Sequence, residues 1–283
     1  MAAGIRGGMG VGSLILIAAS IMFMFFVVLS GVTNSVPLSN TWFLQADTST
    51  IPGAHRSTSQ WTFWFVCGAN NRDCGAPVPA LPIGYAWVDG SAGAPEALVG
   101  GHAKHTTSYH YYYTWRFGWV FYLMAFVLDV FGLFTALLAP CSRLASGLSG
   151  LIIGSALFFM TMAASMMTAI FVEARNRFHD AGLSASIGSA AFGFTWAAWA
   201  CMVLATIMLF LGCGLGGRSS GASSRASRID RSTPTQTTRS PPRGIRTTTA
   251  GSSLGFWRRQ RRRTGPSAFP DTESQHRVKD EYA

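Results

Sequence analysis

Two cysteines and two tryptophans form the most chemically specific motif in this sequence. The motif reads Trp61-Thr-Phe-Trp64-Phe-Val-Cys67-Gly68, and Cys74 follows after six intervening residues. In an oxidising compartment this spacing allows a disulfide that closes a short loop, worth about 2 to 3 kcal/mol in the chain-entropy model. A structural disulfide is favoured over a redox-active pair because no cluster of bases that would activate a thiolate accompanies the cysteines.

The paired tryptophans have two readings. Trp61 and Trp64 can fill the base of a small sheet and anchor it at the depth of the lipid headgroups, where amphipathic rings are favoured. The alternative is an aromatic platform that binds a ligand. The anchoring role is favoured.

One acidic residue, Asp129, falls inside a long apolar segment. A carboxylate in hydrocarbon is costly unless it is paired or neutral, so an intramembrane acid is a candidate proton or ion site. The alternative is a protonated or hydrogen-bonded aspartate that fixes helix packing. The latter is favoured because the apolar segments contain no basic residue.

Three histidines, His102, His105 and His110, lie among tyrosines in a polar loop. They are candidates for cation binding or for sensing external pH. No cysteine or carboxylate accompanies them at ligand spacing, so a solvated loop is favoured. Neither a metal site nor a cofactor is expected, and no nucleophile and base combination indicates an enzyme.

Near the C-terminus an aromatic pair precedes a basic run, at Phe256, Trp257, Arg258, Arg259, Arg261, Arg262 and Arg263. These residues are predicted to bind anionic lipids at the cytoplasmic leaflet. Nucleic acid is the usual competing partner of such a run, but membrane attachment makes lipid headgroups the nearer polyanion. Cys141 and Cys213 are candidates for palmitoylation or plain buried thiols.

Four apolar segments position these residues. Of the 283 residues, 49% are hydrophobic and only 12% are charged, which is typical of a membrane protein. Each segment is long enough for a helix that crosses a bilayer, which needs about 20 residues. The segments are 11–32, 118–139, 148–172 and 191–215. The loop 33–117 is rich in aromatic residues and alternates over 59–66, which predicts a small β-sheet on the helix ends.

The distribution of basic residues predicts the orientation. Arg6, Arg143 and Arg218 flank the apolar segments on one side, so residues 1–10 and 216–283 are expected to be cytoplasmic. The loop 33–117 and the connection 173–190 are then extracellular. Helix three is expected to continue out of the membrane until Gly182. The segment 216–283 holds 14 of the 22 Lys and Arg residues and is expected to be disordered.

Taken together, three features resemble the fungal Sur-seven/PalI family of claudin-like tetraspan plasma-membrane proteins of eisosomes. These features are the four spans of domain 11–215, the W-x2-W-x2-C motif with its second cysteine, and the stretch Glu173-Ala-Arg175-Asn-Arg-Phe178 leading to Gly182. The resemblance implies that Cys67 pairs with Cys74. It also implies a four-transmembrane-helix bundle with a small extracellular β-sheet, and it places Trp61, Trp64 and Gly68 in the family motif.

The resemblance also implies a function without catalysis. Family members organise eisosome-associated compartments of the plasma membrane and influence cell-wall and endocytic organisation. A related PalI-like branch assists ambient-pH signalling, which is the alternative. The expected partners are membrane lipids, eisosome or cortical proteins, and further copies of the chain.

Overall fold

The computed structural model describes residues 2–33, 35–138 and 143–214, with side chains described over 7–33, 35–138 and 144–212. Four long helices account for most of these residues. Helix α1 is Ala2–Val28, α2 is Tyr109–Ala136, α3 is Arg143–Asp180 and α4 is Ser189–Gly214. All four are long and apolar enough to cross a membrane.

The helices expose large apolar side chains outward, as lipid-facing helices do. Examples on the four helices are Ile15, Phe131, Leu151 and Leu204. In water such exposure would be costly, whereas in hydrocarbon it is the stable arrangement. The four predicted spans are therefore confirmed, although α1 and α2 begin about nine residues earlier than hydropathy alone predicted.

Small residues lie where the helices approach one another. Ala156, Ala163 and Ala164 of α3 and Ala198 of α4 are fully buried. Helix α2 packs mainly on α3, and α1 packs mainly on α4, while α1 and α2 share a smaller contact. The small side chains allow this close approach.

Helix α3 is much longer than a bilayer requires. Its 38 residues extend about 57 Å at 1.5 Å per residue, against a hydrocarbon thickness of about 30 Å. It ends at Asp180, and Gly182 then adopts a positive φ of 76°. The predicted continuation of helix three as far as the stop at Gly182 is confirmed.

The polar loops form a four-stranded antiparallel sheet. Its strands are β1 (Leu44–Asp47), β2 (Thr58–Trp61), β3 (Val66–Cys67) and β4 (Ala185–Ile187), in the order β3-β2-β1-β4. The loop between α1 and α2 contributes three strands, and the loop between α3 and α4 contributes the fourth. The fold class expected from the sequence, helices with a small sheet, is confirmed.

The two faces of the sheet differ in polarity. Cross-strand partners share a face, and Gln45 pairs with Gln60 on one side and with Ser186 on the other. Asp47 and Thr58 continue this polar face, whereas Leu44, Trp61 and Ile187 lie on the opposite face. The apolar face covers the ends of the helices. The other face is open to water at Asp47, Thr58 and Ser186, whereas Gln60 and its cross-strand partner Cys67 on that face are buried.

Two details of this sheet have no local signal in the sequence. The alternation over 59–66 spans two strands, because β2 ends at Trp61, β3 begins at Val66, and the amide of Thr62 donates to the carbonyl of Phe65 at 2.9 Å across a tight turn between them. The connection before α4 contains the short strand β4.

Candidate functional site at the sheet-covered end of the helices

Trp61, the first tryptophan of the motif, lies in the core between sheet and helices. It is 1% exposed, and its indole N–H donates to the carbonyl oxygen of Ile83 at 3.0 Å. Its ring contacts Trp87 and Phe178, with centroids 6.3 and 6.0 Å away. Trp61 therefore joins the sheet to the part of α3 that extends beyond the membrane.

Phe63 and Trp64 occupy the boundary between the sheet and the apolar parts of the helices. The carbonyl of Phe63 accepts a hydrogen bond from the indole of Trp119 at 3.2 Å, and its amide donates to the Ser30 hydroxyl at 3.2 Å. The Trp64 ring meets Trp119 at 90°, with centroids 4.9 Å apart. These contacts connect the motif to α2 and to Ser30, two residues beyond the end of α1.

The two tryptophans of the motif thus have different environments. Trp61 is buried in the core, while Trp64 is half-buried beside Trp119 at the level where α2 becomes apolar. Only Trp64 has the position expected of an interfacial anchor.

A disulfide joins Cys67 to Cys74. Between them the amide of Gly68 donates to the carbonyl of Arg72 at 2.6 Å. Gly31, just after α1, has a φ of 83°, and a Cβ there would lie 2.8 Å from the Thr62 hydroxyl. The chain therefore leaves α1 directly against the disulfide-closed segment.

The stretch 173–178 of α3 has two faces. Ala174 and Phe178 are fully buried, and Phe178 packs under Trp61 and Trp87. On the outer face Glu173 pairs with His110 at 3.1 Å and with Arg177 at 3.5 Å. The stretch quoted in the family resemblance is thus the segment that receives the sheet.

The three loop histidines have different surroundings. His102 lies among Tyr109, Tyr112 and Tyr113, with its ring 5.1 to 5.5 Å from theirs. His110 pairs with the carboxylate of Glu173. The carboxylate comes from another helix 63 residues away, and spacing along the sequence does not show it.

The described residues contain no group of three or more His, Cys, Asp or Glu side chains suited to a metal ion.

On the polar face of the sheet, the backbone N–H and the hydroxyl of Ser49 lower the pKa of Asp47 from its ordinary value. The amide of Ser49 donates to this carboxylate at 2.9 Å. Asp47 is therefore ionised at neutral pH, beside the uncharged Gln45 and Thr58 of the same face.

Asp129 is fully buried among the helices, and its Oδ2 forms a hydrogen bond with the hydroxyl of Ser20. Ser20 belongs to α1, so the bond links α1 to α2. The Ser20 oxygen also lies 2.8 Å from the carbonyl oxygen of Ile17. Asp129 is thus a hydrogen-bonded side chain in a helix interface, which is the reading that the sequence favoured.

Several predicted site residues lie outside the part of the chain that the structure describes. They are the side chains of Cys141 and Cys213, and the basic run with its aromatic pair, Phe256, Trp257, Arg258, Arg259, Arg261, Arg262 and Arg263. Their proposed roles in palmitoylation and membrane-surface binding stay predictions.

These observations define a multi-pass membrane protein whose loops on one side build a disulfide-closed antiparallel sheet. The chain belongs to the SUR7/PalI family, whose sequence model matches residues 9–208. The match covers the four helices almost completely, together with both loops of the sheet.

Individual relatives agree with this assignment. Protein SUR7 of Candida albicans is 32% identical over 205 residues, which cover 71% of this chain and 72% of the relative. Protein SUR7 of Saccharomyces cerevisiae is 25% identical over 206 residues, covering 70% and 65%. The uncharacterized plasma membrane protein YNL194C of the same yeast is 26% identical over 191 residues, covering 65% and 61%. The matched region thus spans less than two thirds of both Saccharomyces relatives.

Proposed function

We propose that this protein is a non-catalytic organiser of eisosome-associated compartments of the plasma membrane, which influences cell-wall and endocytic organisation. Its partners in this role are membrane lipids, eisosome or cortical proteins, and further copies of the chain. Membership of the SUR7/PalI family and similarity to a plasma membrane protein support the proposal.

The observation that carries the proposal is the construction of the sheet. Both loops on one side of the helices are joined into one sheet, whose apolar side is filled by Trp61, Trp87 and Phe178. Such a filled core leaves the polar face and the lipid-facing helices as the surfaces for contact with other molecules. That arrangement suits a protein that works by association within the membrane.

The orientation is part of the same proposal. With the sheet outside the cell, the disulfide between Cys67 and Cys74 lies in an oxidising environment and both termini are cytoplasmic. The basic run at 258–263 then faces the anionic inner leaflet, where each base contributes about 1 kcal/mol of attraction.

Imaging in live fungal cells tests the proposal. A fluorescent copy of the chain is compared with an eisosome marker, and so are a copy truncated after Gly217 and a full-length copy whose five arginines at 258–263 are replaced by glutamine. Cortical patches that overlap the marker are expected for the intact chain. Loss of patches in both altered copies assigns targeting to the basic run, while an even distribution of the intact chain contradicts the organiser role.

The second candidate function is a PalI-like subunit that assists ambient-pH signalling. The observation that favours it is the placement of His110 beside Glu173 and of His102 among three tyrosines, both on the sheet side. Replacement of His102, His105 and His110 by glutamine should abolish the response to alkaline pH if the protein has this role. An unchanged response with intact patches would support the organiser alone.

A further inference from the structure

Five side chains form a cluster on the first two turns of α2 and the loop before it. The cluster contains His102, Tyr109, Tyr112, Tyr113 and Arg116. The rings of Tyr109 and Tyr113 lie 4.7 Å apart, and the His102 ring lies 5.1 Å from that of Tyr112. The Arg116 guanidinium carbon lies 4.4 Å from the centre of the Tyr112 ring. We call these residues the Arg116 cluster.

The Arg116 cluster lies at the depth of the lipid headgroups. Helix α2 has 28 residues, or about 42 Å, whereas hydrocarbon takes about 30 Å and 20 residues. Counting back from Ala136, the hydrocarbon portion begins near Phe117. The four helical members of the cluster therefore precede it, on the sheet side of the membrane.

The cluster lies on the outer surface of the described residues, where a lipid headgroup can reach it. Its helical members are spaced at i, i+3, i+4 and i+7, so they share one face of α2. Tyr109 is 68% exposed, and Phe117, the next residue after Arg116, is 53% exposed. A lipid headgroup has direct access to this face.

The charge of Arg116 has no counter-ion in the described part of the chain. Its side chain forms no ion pair and no hydrogen bond with a described residue, and its Nε atom is buried without a partner. The Nδ1 atom of His102, in contact with the same tyrosine ring, is also buried without a partner.

We propose that the Arg116 cluster binds the phosphate of a phospholipid headgroup in the leaflet on the sheet side. A guanidinium offers two parallel N–H donors to a phosphate, and phosphates are the anions present at this depth. The Tyr112 ring holds the guanidinium in place through its π face. The exposed tyrosines contact the remainder of the headgroup, where aromatic side chains are favoured. The site is independent of the basic run at 258–263.

Native mass spectrometry of the full-length protein tests this proposal. The protein is purified in a neutral detergent without phosphate and titrated with phosphatidylcholine, and the first bound lipid is quantified. Arg116→Gln should weaken that binding about tenfold, since it removes a charge-assisted pair. The matched control is Arg72→Gln, which removes the same charge from an exposed loop position. Equal binding by the two variants would overturn the proposal.

Further arms separate the headgroup from other ligands. Diacylglycerol with the same acyl chains should not distinguish the intact protein from Arg116→Gln, because it has no phosphate. If inorganic phosphate binds as well as the lipid, the site is a free-phosphate site and the proposal is wrong. Arg116→Lys keeps the charge but loses the paired donors, so intermediate binding is expected even if Arg116→Gln does not fold. Binding by Arg116→Lys equal to that of the intact protein would contradict the paired-donor geometry.

Discussion

Phe43 and Phe171 lie face to face, with ring centroids 5.2 Å apart and ring planes 5° from parallel. Trp115 of α2 and Phe192 of α4 meet the Phe43 ring edge-on, at 5.7 and 5.5 Å. The residue that precedes β1 is therefore inserted among three helices. This aromatic group is one apolar connection between the sheet and the membrane-spanning part.

Replacement of Phe43 by alanine should lower the free energy of unfolding by about 3 to 5 kcal/mol, the usual cost of a cavity left by a buried phenylalanine. Thermal unfolding in detergent, followed by tryptophan fluorescence, measures the change. Phe131→Ala is the control, because Phe131 is 60% exposed on the lipid-facing surface. Similar decreases in the free energy of unfolding of the two variants would show that the buried contacts of Phe43 stabilise the fold no more than the exposed ring of Phe131 does.

Gly188 should tolerate no side chain. A Cβ at this position would overlap the carbonyl oxygen of Trp42, and the amide of Gly188 donates to the carbonyl of Phe43 at 3.0 Å. Gly188→Ala should therefore displace β4 from β1 and expose the segment 182–188 to protease. Gly193→Ala is the matched control, since a Cβ there meets no atom within 4 Å. Equal protease resistance of both variants would contradict the close approach.

The hydrogen bond between Asp129 and Ser20 should give a measurable coupling energy between the two residues in a double-mutant cycle. Hydrogen bonds between membrane helices are worth about 0.6 kcal/mol on average and up to about 1.7 kcal/mol. A double-mutant cycle with Asp129→Ala and Ser20→Ala should give a value in that range, measured by unfolding in detergent. Asp129→Asn keeps a polar partner and should be milder than Asp129→Ala. Additive losses would show that the two residues act independently.

Loss of the disulfide should destabilise the sheet rather than the helices. Closing a loop with a sequence separation of 7 contributes about 2 to 3 kcal/mol in the chain-entropy model. The free energy of unfolding should therefore fall by similar amounts in Cys67→Ser, Cys74→Ser and the double variant. Reductant should have no further effect on these variants. Cys201→Ser, which alters the free cysteine of the described residues, should behave as the intact chain does. A double variant much less stable than either single variant would indicate that the two sulfurs act separately.

Hydropathy was sufficient to predict the helices, because the membrane imposes a minimum apolar length on each one. It did not predict β4. Residues 185–187 are too few to show alternation, and they form a strand only because β1 offers an edge in register. Pairing between distant segments leaves no local signal of this kind.

The turn at 62–65 was missed for a different reason. It contains Thr62, two phenylalanines and Trp64, without the Gly, Pro, Asn or Asp that usually mark a turn. These aromatic residues are held by Trp119, Ser30 and neighbouring rings, so tertiary packing replaces the usual turn chemistry. The motif itself was visible in the sequence, but the separate environments of Trp61 and Trp64 depended on this turn.

The strand order β3-β2-β1-β4 also constrains how the chain is made. Strand β4 follows β1 by about 140 residues, and two apolar helices are synthesised between them. During synthesis the nascent chain therefore presents β1 with an unpaired edge until the ribosome has released the segment before α4. A chain arrested before that point displays an unfinished sheet, whose unpaired edge can pair with the edges of other chains.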